Sequence, residues 1–158
     1  MMNITVSDKS ILSHAAGCYV LFAQEGFEAS KQLKEWISHS DTVLSLIEKR
    51  EFTGKSQQLF FTHVLVGKKI QYLVLVGLGK GADKKKITIE QYRRAVARAV
   101  KEALKLKSET VVMQLPAASL FGVDVPYLAQ QTVEIAMMSA YHFDDFITDA
   151  SRKETVLA

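Results

Sequence analysis

The sequence is short of nearly everything that marks a self-contained catalyst. It has one cysteine, Cys18, so no internal disulfide can form, and a lone thiol suits a reducing cytosol. Neither an H-E-x-x-H pair nor a G-x-S-x-G elbow occurs. The histidines, His14, His39, His63 and His142, fit no metal-ligand spacing. His142, Asp144, Asp145 and Asp149 gather near the C-terminus, but such a cluster reads as a solvated segment closing the domain before it reads as a cation site. Cys18 lies in an apolar stretch, where thiols are usually inert. No apolar run approaches the roughly 18 residues of a membrane span. The start, MMNITVSDKS, lacks the basic-then-apolar layout of a secretory signal. Internal repeats and low-complexity segments are also missing.

What remains is an ordinary globular composition, 48% hydrophobic and 23% charged, over 158 residues. That length suffices for one domain with its own core. The net charge of +3 permits contact with nucleic acid without arguing for it.

The organising stretch is Gln71 to Ala82, QYLVLVGLGKGA. Tyr72 to Val76 has no polar residue to alternate with, which predicts a strand buried on both faces in mid-sheet. Leu59 to Val66 reads as a second strand, and the link Gly67-Lys68-Lys69 is short enough to make the two an antiparallel hairpin. Gly17 to Phe22 and Thr110 to Leu115 supply further strands, and Ile4-Thr5-Val6 a short edge strand. Residues 28–39 form a weakly amphipathic segment, and Asp41 is a candidate N-cap for a short helix over 42–50 with Val43, Leu44 and Ile47 inward. Thr88 and Gln91 form a capping box that starts a long helix running to about Lys107. Its predicted inner face is Ile89, Tyr92, Val96, Val100, Ala103 and Leu104. A last helix, roughly 126–142, begins at Asp124 and Pro126 and is apolar around most of its circumference. Gln130, Gln131 and Glu134 are its polar strip, so contacts are expected on two sides, with the sheet and with another element or chain. The tail after it reads as a linker or a terminal strand. The order implies an α/β chain with a mixed sheet between helical layers.

Two features could carry chemistry. Gly77-Leu78-Gly79-Lys80-Gly81-Ala82 spells G-x-G-x-x-A, the loosest form of a dinucleotide fingerprint. In a true dinucleotide turn the helix begins inside the motif, whereas here Asp83 to Ile87 intervene, so a structural turn is the better reading. The second feature is basic. Arg94, Arg98, Lys101 and Lys105 recur at i, i+4, i+7 and i+11 on the long helix, and Lys84, Lys85 and Lys86 precede it. A solvated outer face is the ordinary reading, and a phosphate-tracking surface for nucleic acid is the alternative.

Three stretches together resemble the N-terminal domain of the leucyl aminopeptidase (cytosol aminopeptidase) family. Glu51-Phe52-Thr53-Gly54-Lys55-Ser56 is similar to that family's acidic-Phe-x-Gly-Lys turn. Val76-Gly77-Leu78-Gly79-Lys80 is similar to its V-G-L-G-K, with Tyr92-Arg93-Arg94-Ala95 following. Ala140-Tyr141-His142-Phe143-Asp144 is similar to its A-Y-x-F-D close. The resemblance implies a macrodomain-like three-layer sandwich over residues 1–143, with 144–158 opening a linker to a catalytic domain absent from this chain. It also implies a cytoplasmic, hexameric metallopeptidase whose absent domain holds two divalent ions (zinc, manganese or magnesium) and removes N-terminal residues from peptides. Thr148-Asp149-Ala150 resembles part of that family's metal signature, but Ile147 and Ser151-Arg152 replace its flanking residues, so no catalytic or metal residue is assigned to this chain. Some bacterial members bind DNA, and macrodomains elsewhere bind ADP-ribose, which leaves nucleic acid and a nucleotide as alternative ligands.

Overall fold

The computed structural model describes residues 2–26, 40–82 and 86–141. Four strands, β1 (Cys18–Gln24), β2 (Leu59–Val66), β3 (Lys69–Gly79) and β4 (Val111–Met113), form one sheet in the order β2-β3-β1-β4. β2 and β3 pair antiparallel from Val66↔Lys69 to Leu59↔Val76, as the Gly67 link requires. β1 lies parallel to β3, with Cys18 opposite Tyr72 and Phe22 opposite Val76, and β4 lies parallel to β1. The sheet is therefore mixed, with the largely apolar β1 and β3 at its centre.

Alternation along β1 and β3 builds two cores. Cys18, Val20, Phe22, Val74 and Val76 face one side, where α2 (Ile89–Lys105) and α3 (Val125–Ala140) cover them. Tyr19, Leu21, Leu73 and Leu75 face the other side, with Val43 and Ile47 of α1 (Ser40–Lys49) and Phe60 and Val64 of β2. The result is a three-layer sandwich. Val20, Leu73, Val74, Leu75 and Val76 are wholly buried, and each contributes about 1.5–3 kcal/mol.

α2 starts where the sequence places it. The Thr88 hydroxyl accepts from the Gln91 amide, and the Gln91 side chain accepts from the Thr88 amide. The Gln91 side-chain amide also donates to the carbonyls of Leu78 and Lys80, tying the start of the helix to the end of β3. Its inner face adds Ala95 and Ala99 to the expected set, and Ile89 and Leu104 sit half-buried at the margin. The two alanines are small enough to let the helix lie close on the sheet.

Three expectations need correction. Ile4-Thr5-Val6 is not a strand, and Val6 is well exposed, because these residues bond to no neighbouring strand among the described residues. Asp41 lies inside the first turn of α1, which begins at Ser40. Gln131 is not part of an outward strip. It is buried, and its carbonyl oxygen accepts from Arg93 Nη1 at 2.6 Å, so a polar bond crosses between α2 and α3. The segment 28–39 lies outside the described residues.

Candidate functional site

The two glycine motifs meet in space. β3 extends through Gly79, so Gly77 and Gly79 are strand residues and not a turn beyond it. The loop after α1 lies across them: the Gly77 amide donates to Gln58 O at 2.7 Å, the Gln57 amide to Gly77 O, and the Gly79 amide to Gly54 O. A Cβ on Gly77 would stand 1.9 Å from the Lys55 carbonyl oxygen, and one on Gly54 would stand 2.1 Å from that of Gln24. Gly54 also holds φ +81, a backbone conformation that side chains resist. Gln58 closes the loop, accepting from the Thr53 and Lys55 amides and donating to Glu51 O. These glycines are thus used up by backbone-on-backbone packing. α2 begins only at Ile89 and is capped by its own Thr88, whose hydroxyl takes the Gln91 amide, so the helix does not start inside the motif as a dinucleotide turn requires.

A cleft of about 310 Å³ opens where the parallel strands β1 and β3 end, the usual place for ligands in α/β sheets. Gln24, Glu25, Gly79, Lys80, Lys86 and Ser119 line it. Its charges are mixed, with the Glu25 carboxylate against two ammonium groups. Lys84 and Lys85 lie outside the described residues.

The basic stripe on α2 does face outward. Arg94 is paired with Glu90 at 2.9 Å and Lys105 with Glu102 at 3.5 Å. Arg98 and Lys101, between them, are exposed and have no ion-pair partner among the described residues. Arg93, by contrast, turns inward to Gln131, and its neighbour Tyr92 pins α2 to α3. The Thr132 hydroxyl donates to Leu128 O and so accepts from the Tyr92 hydroxyl at 2.7 Å. Tyr92 also packs between the Phe22 and Phe121 rings, and burial pushes its pKa up to about 12.

Cys18 is fully buried. Desolvation, then the nearby Glu102 charge, raises its thiol to about 12, with a smaller opposing influence from the nearby Ser108 hydroxyl. Such a thiol carries no thiolate at neutral pH and cannot serve as a nucleophile. Among the described residues no three His, Cys, Asp or Glu side chains converge to hold a metal ion. The two divalent ions implied by the resemblance therefore find no fitting donors there, and His142, Asp144, Asp145 and Asp149 lie outside the described residues. No described helix is long and apolar enough to cross a membrane.

Comparison with known proteins gives this frame an ancestry. The chain is 32% identical over 161 residues to a cytosol aminopeptidase of Nostoc punctiforme, covering 98% of this chain and 31% of that one. It is 29% identical over 154 residues to one from Trichormus variabilis, covering 96% of this chain and 30% of that protein. The chain thus spans about 30% of the length of the curated relatives it matches. Among solved structures, a tomato leucine aminopeptidase variant superposes at TM-score 0.66 with 18% identity, over 91% of this chain and 29% of that one. The macrodomain of Mycobacterium tuberculosis DarG superposes at 0.63 with 13% identity, over 85% of this chain and 90% of that one, which shows a shared fold. The sequence profile of the cytosol aminopeptidase family's N-terminal domain matches residues 20–150. The chain belongs to the cytosol aminopeptidase family, as its N-terminal domain.

Proposed function

We propose that this chain is the accessory domain of a cytoplasmic, metal-dependent aminopeptidase, and that it supports assembly, stability or access without doing chemistry itself. The observation that carries this reading is coverage: nearly all of this chain aligns with only about 30% of each relative. The remaining length of such a protein is where peptide hydrolysis by two divalent ions would reside, along with the contacts of a hexamer. Residues 1–143 form the domain in this reading, and 144–158 lead toward the catalytic part. The purified chain is expected to hydrolyse no leucyl amide with zinc, manganese or magnesium supplied. Metal-dependent turnover by the chain alone overturns the reading.

A second reading makes α2 a nucleic-acid surface, with Arg94, Arg98, Lys101, Lys105 and the run Lys84 to Lys86 tracking phosphates. The unpaired, outward Arg98 and Lys101 favour it. Binding would then weaken by nearly one logarithmic unit per contact for each tenfold rise in salt. No binding to duplex DNA at low salt removes it.

A further inference from the structure

The two central parallel strands send the chain to opposite faces of the sheet. After β1 the next described helix, α1, shares a core with Tyr19 and Leu21, whereas β3 leads into α2 over Val20 and Val74. Neighbouring parallel strands whose connections diverge in this way leave a crevice between their C-terminal ends. The cleft of about 310 Å³ stands there, at the small end of the range for ligand pockets.

Backbone bonds from three parts of the chain hold its walls. The Glu25 amide donates to Gly79 O at 3.0 Å, which fixes the end of β1 against the end of β3. Lys80 follows directly, and its carbonyl accepts from the Gln91 side chain. The Ile87 amide donates to Leu120 O, joining the approach to α2 to the short turn Ala118–Leu120. Lys86 is seated as well. A Cβ on Gly122 would stand 2.8 Å from Lys86 Cδ and 3.0 Å from its Nζ, so the lysine lies across the space that glycine leaves open.

The charges say what such a cleft can take. Glu25, Lys80 and Lys86 all line it, yet among the described residues their side chains make no ion pair or hydrogen bond. On α2, by contrast, Arg94 and Lys105 find Glu90 and Glu102. A purely anionic ligand would meet the two ammonium groups but also the Glu25 carboxylate, and like charges repel. A simple cation meets the reverse problem. A molecule that carries both signs satisfies all three groups. Ile87 and Leu120 add apolar surface to the same lining.

We infer that this cleft binds a small zwitterion, a free α-amino acid with an apolar side chain. Its ammonium group meets Glu25, its carboxylate meets Lys80 and Lys86, and its side chain lies on Ile87 and Leu120. The proposed peptidase would release compounds of this class, so in the whole protein the site would sense product. The inference does not rest on that reading, because binding is a property of this chain alone.

Calorimetry on the whole chain, without metal or peptide, tests it with L-leucine as the probe. Saturable binding at millimolar leucine is expected. Isopentylamine, which lacks the carboxylate, and 4-methylpentanoate, which lacks the ammonium group, should each bind at least roughly tenfold more weakly. Glu25→Gln and Lys86→Met should each weaken leucine at least roughly tenfold, and Arg98→Ala should leave it unchanged. Absence of saturation by leucine overturns the inference, as does equal binding of 4-methylpentanoate or indifference to Glu25→Gln. Inorganic phosphate binding more tightly than leucine also overturns it, because the cleft is then an anion site. Amide resonances place the ligand without any variant: those of Gly79 and Gly81 should shift with leucine, and those of Lys68 and Ile70 should not. Shifts confined to other parts of the chain sink the idea. Peptide turnover by the chain would overturn the accessory reading and leave this one standing.

Discussion

The two ends of the sheet are built in opposite ways. At the hairpin end, β2, β3 and the loop over 51–58 interlock, with Gly54 and Gly77 admitting carbonyl oxygens where side chains would otherwise stand. At the other end β4 is three residues long, all half-exposed, and borders a groove. The first end closes with segments adjacent in sequence. The second depends on segments far apart, which bring greater loop-closure cost before any contact rewards it. The hairpin end should therefore set the domain's stability, with the β4 end contributing less.

The hardest blow to that asymmetry is Gly77→Ala. Its methyl meets the Lys55 backbone with no flexible side chain to yield, so a loss above ~4 kcal/mol or outright failure to fold is expected by denaturant unfolding. A mild effect would mean the interlock is looser than described. Next comes a matched truncation pair. Leu75→Ala, in the sealed centre, should cost about 2–5 kcal/mol, and Met113→Ala, at the groove, less than half of that. Equal losses would erase the contrast.

Alkali probes the α2 side of the central strands. Cys18 and Tyr92 have folded pKa values near 12, above their ordinary 9.0 and 10.0. The folded state then holds protons that the unfolded state has released. Stability is therefore full below pH 9 and falls as pH rises toward 12, by at most ~1.4 kcal/mol per pH unit for each group. Cys18→Ala should flatten the decline between pH 9 and 10, and an unchanged slope there contradicts the assignment. Smaller still, Thr88→Ala removes one cap acceptor and should cost about 1 kcal/mol in thermal melts. Smallest are Arg98→Ala and Lys101→Ala, expected to leave stability within ~0.5 kcal/mol because both side chains point to solvent. A larger drop would show that the stripe packs against something.

Much of the hairpin end was legible in the sequence, because its signals are local. Continuous apolar runs marked β1 and β3, Gly67 marked the link, and Thr88 with Gln91 marked the helix start. The glycine motif was legible as a turn but not as a joint. Only the folded chain brings Lys55 against Gly77, and the one hint was that Gly54 and Gly77 each sit in a stretch resembling the same family. Gln131 was misread as outward because periodicity records polarity and cannot foresee Arg93 meeting it. Ile4 to Val6 alternates like a strand, but alternation alone does not provide a bonding partner.

The burial of Cys18 has a practical use. A single thiol that is sealed in the core, and protonated at neutral pH, meets alkylating reagents only when β1 leaves the sheet. Its labelling rate therefore times the opening of the whole domain, with no probe added and no second thiol to confuse the count.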